Sequence, residues 1–243
     1  VFVIMFTALG GMVAIAYTDL PNGIIIVLAC VLAAPFVYLK AGGLAAAQQA
    51  LPGGYFSVIN SQFGAHPTLK AVGYFLSTMF LLMGVQSMYQ KFYSAKTPRD
   101  ARKSVLWWTI GTVFVETVVV IIAVFAYSSL QGQIDLSVPK AGGKVVLLAA
   151  RHLVPAPVGV LLLGAACAVV ISTGMNYLLS PSTTIMVDIF QRFGRKKADQ
   201  KSMVAMQKAL VVVIGVAAFF LAVRLKSVLE MSFFAYTIYG AAV

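Results

Sequence analysis

The sequence predicts an all-α integral membrane protein, and three observations carry that prediction. Sixty per cent of the 243 residues are hydrophobic and only 10% are charged, against roughly a quarter charged in soluble domains. The mean hydropathy is +0.93. The apolar runs are about 17–25 residues long, enough to cross a hydrocarbon layer of ~30 Å as helix, and they lack the two-residue alternation of outer-membrane strands.

Periodicity and helix breakers predict a single transmembrane domain over 1–243, with the tail of one helix at 1–9 and a break at Gly10-Gly11. Spans are expected at 12–39, 69–94, 103–129, 154–190, 203–224 and 227–243. Lys40-Ala41-Gly42-Gly43 ends the first full span, and Pro52-Gly53-Gly54, His66 and Pro67 mark 43–68 as an outside loop with room for a short interfacial helix. Residues 130–153 read as a second outside loop. Pro181 should kink or interrupt the fourth span, 154–190, before it resumes through Asp188, because proline removes a helix N–H and crowds the preceding turn. The chain starts at Val1 within one apolar stretch and stops at Ala241-Ala242-Val243 within another, so it is expected to be a piece of a longer protein, truncated at both ends. There is no signal peptide pattern.

The net charge of +11 is organised by topology. Lys91, Lys96, Arg99, Arg102 and Lys103 form one cluster, and Arg192, Arg195, Lys196, Lys197 and Lys201 another, each between long apolar segments. Short basic loops stay on the cytoplasmic side, which predicts a multi-pass protein of the inner (plasma) membrane with loops 91–103 and 191–202 inside. Membrane lipids with anionic headgroups are the expected neighbours and nucleic acid is not. Trp107, Trp108 and Tyr127 fit interfacial anchors. Cys30 and Cys167 lie apart in apolar segments and read as buried packing residues rather than a disulfide or metal pair. No G-x-x-x-x-G-K-[ST], H-E-x-x-H or G-x-S-x-G is present, so neither ATP coupling, a cofactor nor an enzyme is predicted.

A polar strip interrupts the fourth span. Val169, Ser172, Thr173 and Asn176 follow the i, i+3, i+4, i+7 spacing and share one helical face. In a bilayer such groups back-bond to the preceding turn, join helices, or line an ion or substrate path. Gly174 beside them lets another backbone approach closely.

Four segments in order show a wider likeness. Gly10-Gly11-Met12-Val13-Ala14-Ile15-Ala16-Tyr17-Thr18-Asp19 is similar to a "GG-x-x-A-V-x-x-T-D" pattern, and Gln90-Lys91-Phe92-Tyr93-Ser94-Ala95-Lys96 with Ala101-Arg102-Lys103 to "Q-R-x-x-A-A-K … A-x-K-G". The polar strip running into Asp188-Ile189-Phe190 is similar to "A-x-x-x-S-[ST] … D-I-Y", and Phe234-Ala235-Tyr236-Thr237-Ile238-Tyr239-Gly240-Ala241 to "A-Y-x-x-Y-x-A". Together they resemble the sodium/solute symporter family of proline, pantothenate, sialic acid and sugar cotransporters, over nearly the whole chain. The resemblance implies two inverted five-helix repeats of the leucine-transporter type, of which this chain would hold core helices five to ten. It also implies a sodium site in which Val169 offers a carbonyl and Ser172 and Thr173 offer hydroxyls, completed by carbonyls of helix one. Sodium wants about five or six oxygens, so three do not complete the site.

The resemblance further makes Asp19 and Asn176 candidates for a second sodium. Met175 and Asn176 stand where that site would have serines, and a single sodium per cycle is expected. Leu20-Pro21-Asn22-Gly23 also allows Asp19 to be simply an N-cap. Gln86 and Ser87 fall where the family's substrate-facing and gating residues cluster, with Leu81 and Leu82 in place of the aromatic gates of sugar carriers. Tyr236 and Tyr239 either close the outer vestibule or pack. Glu116, near Thr112, is the acid in the middle of a predicted span; left unpaired there it costs ~2.5–3.5 kcal/mol on insertion scales. It reads either as a partner of a substrate amine or proton, or as a carboxyl locking helices together. Asp188 reads as a local cap or pair. The leading expectation is sodium-coupled symport of a small organic solute by alternating access. The alternatives are a solute-sensing membrane domain of a sensor kinase and a proton-coupled carrier using Glu116.

Overall fold

The computed structural model describes residues 1–53, 55–57, 59, 64–133, 142–193 and 199–224 together with Met231, Ala235 and Ile238. The architecture is all-α, with no strand among the described residues. Among the described residues the α-helices are, in order, α1 (Phe2–Lys40), α2 (Gly43–Ala50), α3 (Pro67–Gly84), α4 (Gln86–Tyr93), α5 (Pro98–Leu130), α6 (Val145–His152), α7 (Ala156–Thr184) and α8 (Gln200–Arg224). Among the described residues, Phe2–Lys40, Pro98–Leu130, Ala156–Gln191 and Lys201–Arg224 are each long and apolar enough to cross a membrane. Pro67–Gly84 and Gln86–Tyr93, joined through Val85, make a fifth when taken as one span. The chain is a multi-pass membrane protein. Apart from Met231, Ala235 and Ile238, the expected span at 227–243 lies outside the described residues, as do Arg195, Lys196 and Lys197 of the second basic cluster and Tyr236 and Tyr239.

Local chemistry sets the helix ends. In α1 the backbone leaves the helical region at Gly11 (φ 59, ψ −161), a conformation that a residue with a Cβ resists. Lys40 closes the last turn of α1, where a cation meets the negative end of the helix dipole. α5 begins at Pro98, earlier than the sequence pattern suggests, because Thr97 caps it. The Thr97 Oγ1 accepts the Asp100 N–H at 3.1 Å and donates to Asp100 Oδ2 at 2.7 Å, a reciprocal arrangement like a capping box.

Two prolines lie inside helices. Pro21 sits inside α1, and Asp19 is therefore an interior helix residue rather than an N-cap. Thr18 Oγ1 lies 3.0 Å from both the Ala14 and Ile15 carbonyls, a bond back to the preceding turn. Likewise α7 runs through Pro181 to Thr184. The departure comes after it, where Ile185–Gln191 form a π-helix. The hydroxyls that follow the proline bond back to their own turn: Ser182 donates to the Leu179 carbonyl at 2.7 Å, Thr183 to the same oxygen at 2.9 Å, and Thr184 to the Ser180 carbonyl at 3.2 Å, as hydroxyls in membrane helices commonly do.

The chain divides into two compact units. The first contains Val1–Ala29, Gln86–Thr109 and Leu163–Arg224. Its core is Ile15 of α1 with Met175 and Leu179 of α7, packed against Val3, Phe6 and Ile171. The second contains Cys30–Val85 and Ile110–Leu162. There Tyr38 meets Phe125 edge to face at 4.9 Å, Tyr55 stacks near Tyr127, and Gln131 Nε2 donates to the Ala50 carbonyl at 2.8 Å. The segment expected to be a plain loop before α7 carries 3₁₀ turns at Gln131–Gln133 and Gly142–Lys144 and then α6. Cys30 is buried as expected, but Cys167 is exposed. It lies on an outward stripe of α7 with Leu163 and Val170, spaced i, i+4, i+7.

Candidate functional site

The polar strip of α7 meets α1 and α4 within the first unit. Ser172 Oγ donates to Asp19 Oδ1 at 2.5 Å. Asn176, one turn on, donates its amide to the Ser172 carbonyl at 2.9 Å and to Asp19 Oδ2 at 3.3 Å. Lys91 Nζ of α4 closes on Asp19 Oδ2 at 2.6 Å. Asp19 is mostly enclosed, its side chain 19% exposed against 47% for Lys91. A carboxylate in an apolar span is costly unless paired and hydrogen-bonded, and here both oxygens are engaged.

The helix puts each residue where its size dictates. Met175 points away from the strip and is fully buried against Ile15, so it is a core residue and no ligand. Gly174 lets the start of α1 come close: a Cβ there would stand 3.1 Å from Val3 Cγ1. Thr173 is exposed, as is Val169. The face predicted from spacing therefore divides, with Ser172 and Asn176 turned to Asp19 and Thr173 directed outward.

A cavity of about 280 Å³ opens beside the cluster. Its polar wall is Asp19, Ser87, Gln90, Lys91, Ser94 and Asn176. Gln86 lies elsewhere in the unit, where its Oε1 accepts a hydrogen bond from Thr184 Oγ1. Gln207 Nε2 of α8 donates to Thr183 Oγ1 at 3.0 Å, so α4, α7 and α8 share a second polar network just ahead of the π-helix.

Other predicted positions stand apart. Thr112 and Glu116 belong to the second unit. Glu116 is exposed and has no hydrogen bond or ion pair among the described residues, so the helix-locking role read for it is not seen there. Asp188 is exposed within the π-helix and has no hydrogen bond or ion pair among the described residues. Tyr236 and Tyr239 fall outside the described residues.

Lys91, one of the cations of the first basic cluster, is also the charge partner of Asp19. Its 72-residue separation from Asp19 leaves no local pattern to find. The Thr183, Thr184 and Gln207 network escaped for the same reason.

Comparison with known proteins places this geometry in context. Residues 1–243 match the sequence profile of the family described as "Sodium:solute symporter family". The osmoregulated proline transporter OpuE of Bacillus subtilis (strain 168) is 25% identical over 244 residues, which cover 99% of this chain and 48% of that protein. The chain thus spans about half the length of this curated relative. No solved structure matches.

Proposed function

Because the chain belongs to the sodium:solute symporter family, we propose that it forms part of a carrier that moves a small organic solute across the plasma membrane together with sodium, by alternating access. One observation carries the sodium side of this reading: the direction of the Ser172 hydroxyl. Hydroxyls in membrane helices commonly donate to a carbonyl one turn back. Thr7, Thr109, Thr117 and Thr183 of this chain all do so. Ser172 donates to Asp19 instead. A hydroxyl has one hydrogen and two lone pairs, so its oxygen can coordinate a cation whichever acceptor takes the hydrogen, and donation to Asp19 turns the Ser172 hydroxyl toward an acid rather than back along its own helix.

On this reading Val169 supplies a carbonyl and Ser172 and Thr173 supply hydroxyl oxygens. A helical carbonyl keeps a second lone pair after accepting its N–H. The resemblance implies that carbonyls of another helix complete the shell. Ion binding favours one conformation, and coupling follows if the solute prefers the same one. Gln86 and Ser87, with Thr112 and Glu116, are the proposed substrate-facing or gating residues, and the loops 91–103 and 191–202 face the cytoplasm. Proline, the solute in the name of the similar transporter, is the first solute to assay.

The test is uptake by the full-length protein in proteoliposomes under an inward sodium gradient. Replacing sodium by choline should abolish accumulation, and Ser172→Ala should raise the sodium concentration for half-maximal uptake at least tenfold. Uptake indifferent to both changes would sink the sodium assignment.

A further inference from the structure

We propose that the Lys91 ammonium is a built-in cation that fills the coordination position at Asp19, and thereby limits the carrier to one sodium ion per solute. The inference rests on the sodium reading of Ser172 given above.

The geometry around Asp19 is that of a monovalent cation site with its cation tethered. One carboxylate oxygen is held by Ser172 at 2.5 Å, and the other faces Lys91 Nζ at 2.6 Å. Asn176 adds an amide group at 3.3 Å. The cluster carries one negative and one positive charge, so it is neutral without any mobile ion. A bilayer span tolerates an acid only when its charge is met, and the chain meets it with a side chain.

The direction of approach matters. Lys91 comes from the C-terminal turn of α4 and remains 47% exposed, whereas Asp19 is 19% exposed. The cavity of about 280 Å³ lies against this contact, with Ser87, Gln90 and Ser94 on its wall. It has room for several waters at ~30 Å³ each. An ion reaching Asp19 through this space would find a carboxylate, the Asn176 amide after a rotation that presents its oxygen, and water. The ammonium occupies that place first. Because it is covalently held, its local concentration exceeds that of any free ion.

A structural ion pair and a tethered cation predict different consequences of removing the charge. If the pair only joins α1 to α4, Lys91→Met destabilises the protein and adds no ion. If Lys91 stands in for an ion, Lys91→Met exposes a site that sodium fills. The methionine has similar length and no charge, so it leaves the cavity wall largely in place.

The experiment measures the ratio of ²²Na⁺ to solute transported by the full-length protein in proteoliposomes, and the Hill coefficient for sodium. The wild type should transport one sodium per solute with no cooperativity. Lys91→Met should raise the ratio and the Hill coefficient toward two, Lys91→Arg should keep them at one, and adding Asp19→Asn to Lys91→Met should bring them back to one. A wild-type ratio of two, or a Lys91→Met ratio of one, overturns the proposal. Should Lys91→Met fail to transport, equilibrium ²²Na⁺ binding to the purified variant decides: two ions bound per protein support it, and one or none overturns it. Sodium-independent uptake by the wild type would instead remove the reading on which the proposal rests.

Discussion

Four hydroxyls between Ser180 and Thr184 meet different fates, and the differences follow from which neighbour each can reach. Ser182 is fully buried and donates to the Leu179 carbonyl at 2.7 Å. Ser180 is 5% exposed, and its hydroxyl has no partner among the described residues. An unmet buried hydroxyl costs ~1–3 kcal/mol, whereas a made bond contributes ~0.5–1.5 kcal/mol. Ser180→Ala should therefore leave the thermal midpoint of the detergent-solubilised protein unchanged or raised, while Ser182→Ala should lower it; a scanning thermal unfolding assay separates the two. The residue scale is also where the sequence was least complete. Spacing alone put Val169, Ser172, Thr173 and Asn176 on one face, and that face exists, but spacing cannot say that Ser172 turns to Asp19 while Thr173 stays exposed. Nor could it connect Lys91 to Asp19, since a side-chain ion pair between separate helices leaves no periodic trace. Met175 beside the strip is buried against Ile15, a packing role that spacing alone does not reveal.

At the scale of elements, long apolar runs were legible because each must satisfy its own backbone inside a bilayer and only a helix does so. Breakers were less legible. Pro181, expected to kink or interrupt its span, lies within α7, and the departure from α-helix comes only at Ile185–Gln191; a residue type names a breaker without saying at which turn the backbone gives way. The short helix α6 was missed since eight residues are too few for a periodic signal. Its link to α7 rests on a close backbone approach at Gly159, whose N–H bonds the Pro155 carbonyl at 2.9 Å. A Cβ at Gly159 would stand 2.1 Å from the Ala150 carbonyl oxygen. No side-chain rotation relieves a contact with backbone, so Gly159→Ala should displace α6 from α7 and cost about 1–3 kcal/mol, the range for overpacked sites. Lower thermal stability and faster proteolysis between α5 and α7 are the expected readings, and wild-type behaviour of Gly159→Ala would show that the junction yields freely.

For the whole molecule, the charge distribution ties the chain to its membrane. Lys96, Arg99, Arg102 and Lys103 remain to mark one side of the bilayer even though Lys91 is spent on Asp19, because the bias counts several cations close to span ends rather than any single one. The proposed orientation puts the loop before α5 and the segment before α8 in the cytoplasm, and the segment before α3 outside. Cysteine accessibility tests this on the full-length protein. Cys167 is exposed and Cys30 is buried, so Cys167→Ser must be introduced first, with Cys30→Ser added if background labelling persists. In that background Ala95→Cys and Asp199→Cys should react with a membrane-impermeant maleimide in inside-out vesicles and stay unlabelled in intact cells. Ala65→Cys should do the reverse. The three sites lie outside the helices long enough to span, so labelling reports side rather than burial in the bilayer. Labelling of Ala95→Cys and Asp199→Cys from opposite sides would overturn the proposed topology itself, since both basic clusters must share a compartment for the spans between them to alternate. Labelling of all three with the sides exchanged would preserve the helix order and reverse the orientation, and would move the cavity beside Asp19 and Lys91 to the outer face.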